Sequence, residues 1–421
     1  MKALLKILSA LVLVAALASC SIPRGDANSQ ANESNTSSDL AQSSSDSKDK
    51  PSLGYESYFM REIPYEDLSL VSEVSKQNVV IIEENGNLAV VPFDDYVKKI
   101  FDNKKMGFSY TRINNPTVES FEKRVTMLED GIGSVACASG MAALTNAFLN
   151  ILQAGDEIVA ACGLYGGTVE LFDDLKPFGI SVKYVKENKP EAFEAEITEK
   201  TRLVFAETIG NPKLDVTDIQ AVAEVAHKHD VPLIVDNTVA TPYLIQPLKL
   251  GADIVVHSSS KYINGSSDAI SGILVCGKGL KWDPDRYPGL APYRKFGPFA
   301  YIAKLRNGLF RNTGACLAPQ NAFLNNLGLE TLGLRMQRQC DNALELARFL
   351  QGLGGDIEVN YPGLEESPYH EIAKKQFKNG YGAIVTVRTG SKEKAFSIIN
   401  SLKIPLIISN IGDTKTLVIH P

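Results

Sequence analysis

The sequence contains little of what a metal centre or a nucleic-acid-binding surface requires. Its 421 residues include 6 cysteines and 5 histidines, with no CxxC pair and no cluster at metal-ligand spacing, so we expect no metal site. Lys and Arg number 43 against 49 Asp and Glu, a formal net charge of −6. Without an excess of positive charge, a nucleic-acid partner is not expected. Apart from Cys20, the cysteines lie in apolar or helix-like segments, which favours buried thiols over disulfides.

The first twenty residues form a separate unit. Lys2 and Lys6 precede a short apolar run at 7–16, and the unit ends in Leu-Ala-Ser-Cys at Cys20. This pattern predicts a signal peptide over 1–20 that resembles those of bacterial lipoproteins, with Cys20 lipidated after cleavage; an uncleaved anchor with an incidental cysteine is the alternative. Residues 21–54 are mostly polar and predict a disordered tether. A lipid anchor at Cys20 would hold the protein at a membrane outside the cytoplasm.

The segment 55–106 shows no chemistry that we can identify. The apolar runs 78–82 and 88–91 flank an Asn-Gly pair at 85–86. An Asn-Gly pair readily adopts the positive φ angles of a tight turn, so a β-hairpin is expected here.

From residue 133 onward, short apolar runs alternate with segments of helical periodicity. Ile219, Val222, Ala223 and Ala226 recur at helical spacing, and Thr217 with Gln220 is placed as a capping box. Strands that alternate with helices predict an α/β fold with a largely parallel sheet covered on both faces. The expected strands lie at 134–137, 156–159, 202–205, 232–235 and 253–256.

Polar residues follow several of these strands at their carboxyl ends, where open parallel sheets bind ligands. Ser139-Gly140-Met141 opens a helix, whose free N–H groups favour a phosphate. Another strand ends at Asp236, and a third is followed by the serines of 258–260 and then Lys261. Each feature alone is common in turns and helix junctions. Together, a phosphate cradle, a carboxylate and a lysine are the parts needed to hold pyridoxal phosphate.

A series of longer motifs resembles the Cys/Met-metabolism family of pyridoxal-phosphate enzymes, over residues 107–421. The motifs are Tyr110 to Thr117 (YTRINNPT), Tyr165 to Thr168 (YGGT), Glu207 to Pro212 (ETIGNP), Asp236 to Pro242 (DNTVATP) and His257 to Lys261 (HSSSK). The resemblance implies an aspartate-aminotransferase-like (fold type I) transferase. Its large cofactor-binding domain would occupy 107–312 and carry the mostly parallel sheet, and a smaller α/β domain would occupy 313–421.

The same resemblance implies roles for individual residues. Lys261 would bind the cofactor covalently, and Asp236 would keep the pyridine nitrogen protonated. Tyr165 would stack on the cofactor ring and assist proton transfer. The residues implied in binding the cofactor phosphate within one chain are Ser139, Gly140, Met141, Ser258 and Ser260. Ser260 stands where the family commonly has threonine, which retains the hydroxyl.

Further roles follow from the resemblance for residues outside this cradle. Tyr110 and Arg112 would reach the phosphate of a neighbouring subunit, which implies a homo-oligomer, usually a dimer of dimers. Asn211 and Thr238 would lie near the cofactor ring. Ser409 and Asn410 match part of the substrate site.

Two stretches, 165–172 and 328–340, resemble the O-acetylhomoserine sulfhydrylases within the family. The implied reaction is γ-replacement on O-acetylhomoserine with sulfide or a thiol, which yields homocysteine or methionine and acetate. The alternatives are a methionine or cystathionine γ-lyase and, in a different class, an inactive surface-anchored binding lipoprotein. Methionine γ-lyases usually carry cysteine where this chain has Gly167, which counts against that alternative.

Two departures from the family pattern bear on this interpretation. Residues before about 93 do not resemble the family's N-terminal segment. The stretch 411–421 matches one that normally continues into a segment carrying the arginine for the substrate α-carboxylate. A truncated small domain with impaired turnover is therefore expected, together with retained cofactor binding.

Overall fold

The computed structural model describes residues 79–84, 87–92, 98–99, 107–279, 283, 285–355 and 357–420. The chain divides into two units, 1–99 and 100–421, which we treat separately. The predictions for residues 1–20, with Cys20, and for the tether at 21–54 lie outside the described residues and stay predictions. Within the described residues, no helix is both long and apolar enough to span a membrane.

The first unit contains the hairpin expected from its sequence. Strands β1 (Val79–Glu84) and β2 (Asn87–Pro92) pair antiparallel, with Val79 opposite Pro92 and Glu84 opposite Asn87. The strand pairing confirms the hairpin prediction, and its turn at 85–86 lies outside the described residues.

The second unit is built on a seven-stranded sheet of order β3-β9-β8-β7-β6-β4-β5. Strand β9 runs antiparallel to both of its neighbours, and the other pairs are parallel. The largely parallel sheet agrees with the sequence-based expectation, but β9 was not among the strands expected. Its five apolar or small residues are all buried, so they show no alternation to mark a strand. The strands are β3 (Gly133–Cys137), β4 (Glu157–Ala160), β5 (Ser181–Tyr184), β6 (Thr201–Glu207), β7 (Leu233–Asp236), β8 (Ile254–His257) and β9 (Gly272–Cys276).

Helices connect these strands and pack against the sheet. Phe148, Phe172 and Phe205 bring two helices and β6 together, with ring centroids 5.3 to 5.8 Å apart. The helices are α1 (Pro116–Leu128), α2 (Gly140–Leu149), α3 (Gly166–Leu175), α4 (Pro190–Glu196), α5 (Ile219–Lys228), α6 (Thr241–Leu244), α7 (Ala300–Asn307) and α8 (Leu309–Thr313). Short 3₁₀ segments lie at Lys176–Phe178, Pro247–Leu250 and Pro288–Phe299.

The start of α5 corrects one local prediction. The capping residue is Asp218, whose carboxylate accepts the N–H of Ala221 at 3.2 Å, and not Thr217. A carboxylate is the stronger acceptor for helix N–H groups, and it also interacts favourably with the helix dipole. Thr217 is buried beside it, and Gln220 pairs instead with Glu224 along the helix.

The last hundred residues carry a long helix and two small sheets. Strands β10 and β11 pair antiparallel, and β12 and β13 pair parallel. The domain boundary expected at 312/313 coincides with the end of α8 and stays a prediction. The elements are α9 (Pro319–Glu330), α10 (Leu332–Gly352), β10 (Glu358–Asn360), α11 (His370–Gln376), β11 (Thr386–Arg388), α12 (Lys392–Ser401), β12 (Leu406–Ile407) and β13 (Leu417–Val418).

Candidate active site

The sheet topology brings the ends of four strands to one edge. Strands β6, β7 and β8 are parallel neighbours that end at Glu207, Asp236 and His257. Strand β3 points the same way as β8, because β9 lies between them and is antiparallel to both. The segment that follows β3, with Ser139, therefore starts at the same edge as the other three strand ends.

The N-terminus of α2 is closely packed against the residues that follow β8. A Cβ added to Gly140 would lie 2.6 Å from the Cβ of Ser258, so only glycine allows this approach. The Ser139 hydroxyl accepts the N–H of Ala142 at 3.0 Å and caps the helix. The first N–H groups of the helix, at Gly140 and Met141, have no partner within it by geometry. The arrangement places backbone donors suited to a phosphate beside Ser258.

Lys261 lies four residues beyond β8 and is partly buried. Its amine donates to Asn410 Oδ1 at 2.5 Å, which links it to the small C-terminal sheets. Burial lowers the pKa of Lys261, because a charged ammonium is disfavoured away from water. A larger fraction of the amine is therefore neutral, the form that can act as a nucleophile or base.

Ser258 and Ser260, two of the three serines before Lys261, differ in their surroundings. The Ser258 N–H donates to Thr238 Oγ1 at 2.8 Å, which joins the ends of β7 and β8. The Ser260 hydroxyl donates to the Ser271 carbonyl at 3.0 Å and accepts the Ser271 N–H at 2.8 Å. Ser260 thus anchors the lysine segment to the start of β9, and its phosphate-binding role stays a prediction.

Asp236 ends β7 and is partly buried. Its Oδ1 accepts the Thr238 N–H at 2.9 Å. Burial raises the pKa of Asp236, while the Thr238 contacts and the nearby His257 oppose that rise. A cation placed beside this carboxylate would be stabilised by it, which is what a protonated ring nitrogen requires.

Glu207 is a residue at this edge to which the sequence analysis gave no role. It is buried at the end of β6, in register with Asp236, and its Oε1 accepts the Tyr165 N–H at 2.7 Å. Burial and the neighbouring Asp236 raise the pKa of Glu207 well above its usual value. Its position at a strand end, like that of Asp236, was the available signal.

A buried polar network lies behind Asp236. His257 Nε2 is 2.7 Å from Glu129 Oε1, and both side chains are buried. The same glutamate oxygen accepts Asn237 Nδ2 at 2.9 Å, and Asn237 Oδ1 accepts the Thr208 hydroxyl at 3.1 Å. The network joins the ends of β6, β7 and β8 to the end of α1, and its members are far apart in the sequence.

Tyr165 lies at the start of α3 with half of its surface exposed. A Cβ at Gly167 would lie 2.7 Å from its ring, so the glycine lets the ring rest against the first helical turn. Asn211, partly exposed, follows β6 in the same region. Glu207 therefore ties the backbone of Tyr165, one of the predicted cofactor neighbours, to β6.

Among the described residues, Tyr110, Arg112 and Ser409 make no hydrogen bond with Lys261. The Arg112 guanidinium lies 5.2 Å from the Tyr110 ring centroid and donates to the Arg311 carbonyl. Tyr110 and Ser409 are exposed. The predictions that Tyr110 and Arg112 serve a neighbouring subunit, and that Ser409 contacts substrate, stay predictions.

Pyridoxal phosphate fits the chemistry of this edge. The missing Cβ at Gly140 lets the α2 N-terminus, with its backbone donors for a phosphate, approach Ser258 closely. Asp236 offers a carboxylate for the ring nitrogen, and Lys261 offers an amine whose pKa is lowered by burial.

Comparison with known proteins agrees with this chemistry. The family model described as Cys/Met metabolism PLP-dependent enzyme matches residues 79–421. O-acetyl-L-homoserine sulfhydrylase of Leptospira meyeri is 43% identical over 348 residues, covering 78% of this chain and 79% of that protein. The Corynebacterium glutamicum protein of the same name is 38% identical, covering 84% of each.

Solved structures also resemble the chain. An O-acetylhomoserine (thiol)-lyase of Campylobacter jejuni, which contains N'-pyridoxyl-lysine-5'-monophosphate, is 35% identical with a TM-score of 0.75, covering 81% of this chain and 87% of that one. The metB protein of C. glutamicum is 36% identical with a TM-score of 0.67, covering 75% and 77%. The fold is therefore of the α/β fold type I class, and the chain belongs to the Cys/Met-metabolism family of pyridoxal-phosphate-dependent enzymes.

Proposed function

We propose that this protein is an O-acetylhomoserine sulfhydrylase, which replaces the γ-acetate of O-acetylhomoserine with sulfide or a thiol. The products are homocysteine or methionine, with acetate. The names of its curated relatives support this reaction, and Lys261, held with a lowered pKa beside the Gly140 cradle, is the structural observation that carries it.

Each part of the site has a task in this reaction. The α2 N-terminus and Ser258 would hold the phosphate of the cofactor, and Asp236 would hold its ring nitrogen in the protonated state. Pyridoxal phosphate, when bound, supplies the electron sink that makes the substrate α-proton acidic and allows the γ-substituent to leave. The residues of the chain would orient the cofactor and the substrate and would transfer protons.

Lys261 is the residue proposed to move protons. Its amine must be neutral to accept the α-proton of the substrate, and burial shifts the pKa in that direction. Tyr165 is exposed at the start of α3, and its N–H bonds to Glu207 at this edge, which supports a role beside the cofactor. We propose that it stacks on the cofactor and assists proton handling.

The assignment of Lys261 can be tested by borohydride trapping. The purified protein with added pyridoxal phosphate should absorb visible light, and reduction should leave the cofactor covalently attached to Lys261 in peptide mapping. Lys261→Ala should lose both signals. A reducible cofactor bond that persists in Lys261→Ala would contradict the assignment.

The reaction type is tested by its products. With O-acetylhomoserine and sulfide, we expect homocysteine and acetate in equal amounts. If the chain instead formed 2-oxobutanoate and ammonia from methionine or cystathionine, γ-elimination would be its reaction and the proposal would be wrong.

A further inference from the structure

The exposed loop after Lys261 contains an unusual residue, Ser267. Its φ is 60°, in the left-handed region that residues other than glycine rarely adopt. Such strain persists where the surroundings hold the residue in place, and it often marks a functional position. Two hydrogen bonds hold Ser267, because its hydroxyl donates to Asp413 and accepts from the side-chain amide of Asn410.

These bonds form a chain that ends at the lysine. Asp413 Oδ2 lies 2.6 Å from Ser267 Oγ, Ser267 Oγ lies 2.8 Å from Asn410 Nδ2, and Asn410 Oδ1 lies 2.5 Å from Lys261 Nζ. Asp413 is itself anchored, because its Oδ1 accepts the N–H of Lys415 at 2.9 Å.

The direction of every bond in this chain follows from the carboxylate. Burial alone would raise the pKa of Asp413, but hydrogen bonds from Ser267 and Lys415 lower it to about 2, so the group is ionised and can only accept. Ser267 must then donate to Asp413, which leaves its oxygen to accept from Asn410. The amide nitrogen of Asn410 therefore points to Ser267, and its carbonyl oxygen must face Lys261.

We propose that Ser267 and Asp413 are positioning residues that orient the Asn410 amide so that its oxygen, and not its nitrogen, faces the Lys261 amine. An accepting oxygen orients the N–H groups of Lys261 and stabilises a proton on its amine. An amide nitrogen would instead turn its own N–H groups toward the amine and repel that proton. The two orientations of the Asn410 amide are nearly equivalent in shape, so these hydrogen bonds decide which one is adopted. The consequence for catalysis depends on the proposed function, but the orientation itself does not.

The local packing supports a fixed geometry. A Cβ at Gly412 would lie 2.5 Å from the Tyr262 nitrogen, so the loop with Asp413 lies directly against the lysine segment. The Thr414 N–H donates to the Gly265 carbonyl at 3.2 Å, which closes the loop against the same segment.

The test compares Ser267→Ala and Ser267→Gly with Ser266→Ala in the full chain. Ser266 is the neighbouring exposed serine, so its replacement makes the same chemical change one residue away. In cofactor-free protein, site-resolved labelling of Lys261 by an amine-selective reagent should be about three- to tenfold faster in both Ser267 variants, since one restraining hydrogen bond is weakened. Ser266→Ala should label like the parent.

A structural role for Ser267 would give a different pattern. Glycine removes the left-handed strain and alanine keeps it, so the thermal midpoint of Ser267→Gly should equal or exceed that of Ser267→Ala. The kcat should nevertheless fall by the same factor, about three- to tenfold, in both variants. A kcat that followed the thermal midpoint would overturn the positioning role.

Asp413→Asn provides the test of direction. An amide can donate as well as accept, so asparagine at position 413 no longer fixes the donor and acceptor in each hydrogen bond. Lys261 labelling should therefore rise as in Ser267→Ala. The double variant Ser267→Ala/Asp413→Asn should label no faster than either single variant, because each single substitution already breaks the same series of hydrogen bonds. Unchanged labelling in Ser267→Ala, or additive increases in the double variant, would overturn the proposal. Labelling needs no turnover, so this result is independent of whether O-acetylhomoserine is the substrate.

Discussion

At the scale of single residues, the site is defined by two carboxyl groups with separate tasks. Asp236 is partly exposed and available to a ligand, whereas Glu207 is buried and accepts the N–H of Tyr165. They are in register on adjacent strands, so two negative charges there would repel. Burial and this repulsion raise the pKa of Glu207, which favours its protonated form.

This arrangement predicts a pH-dependent effect of Glu207→Gln. A carboxyl whose pKa is raised by folding binds more protons folded than unfolded, so it contributes full stability below its unfolded pKa of 4.5 and loses it as the pH rises toward the folded value. Glutamine is neutral throughout. The variant should therefore gain stability relative to the parent as the pH rises, by about 1.4 kcal/mol for each pH unit of the shift.

Urea unfolding at about pH 5 and about pH 8 measures this difference. Glu207→Ala is the matched control, because it also removes the charge but leaves the Tyr165 N–H without its acceptor, at a cost of about 1 to 3 kcal/mol. If the stability of Glu207→Gln relative to the parent did not change with pH, Glu207 would be ionised in the folded protein.

At the scale of elements, the strand ends are held together by the pair of Glu129 and His257. Glu129 follows α1 and His257 ends β8, and both are fully buried 2.7 Å apart. The network through Asn237 extends the connection to β7. The edge that presents Asp236 and Lys261 is therefore supported by polar contacts as well as by sheet hydrogen bonds.

Removal of Glu129 should be strongly destabilising. Glu129→Ala removes the buried partner of His257 and one of the two acceptors of the Asn237 amide, and breaking a buried pair of this kind typically costs about 3 to 5 kcal/mol. Glu119→Ala, on the same helix, removes an exposed contact with Lys123 at 3.1 Å and should cost less than about 1 kcal/mol. Chemical denaturation of both variants gives the comparison.

If Glu129→Ala does not fold, Glu129→Gln takes its place in the comparison. Glutamine keeps an acceptor oxygen, so this variant should lose less stability. Equal stability losses in Glu129→Ala and Glu119→Ala would show that the buried pair contributes no more than a surface contact.

At the scale of the whole molecule, Tyr110 and Arg112 bear on the predicted homo-oligomer. Arg112 pairs with Tyr110 and the Arg311 carbonyl, and Tyr110 is exposed. Large exposed apolar groups rimmed by charge are typical of interaction surfaces. We propose that this surface meets a second copy and completes the phosphate site there.

Mixing two inactive variants tests a shared site. Arg112→Ala should weaken cofactor retention by about 1.5 to 3 kcal/mol through loss of a charged hydrogen bond. After subunit exchange with Lys261→Ala, about a quarter of the sites in random dimers would combine intact residues from both chains. Activity should return on mixing. If exchange were confirmed by mass spectrometry and no activity returned, each site would be built from one chain.

Several parts of the fold follow from local pattern. The helical face of Ile219 to Ala226 shows apolar periodicity that needs no tertiary information, and the hairpin at β1 and β2 follows from its Asn-Gly pair. Strand β9 was not predicted, since a short uniformly apolar run is ambiguous. Asp218 was missed as the α5 cap because Thr217 offered an equally plausible capping pattern one residue earlier.

The sequence by itself determined the family, the cofactor and the order of strand ends that carry Asp236 and Lys261, because these depend on residues contiguous along the chain. Tertiary structure alone decided what surrounds them. Glu207 acquires its raised pKa through burial and the neighbouring Asp236, and Glu129 meets His257 across 128 positions of sequence. Asn410 reaches Lys261 only when the last segment folds back over the sheet edge. Burial and electrostatic coupling depend on which distant residues pack together, and local sequence patterns carry little of that information.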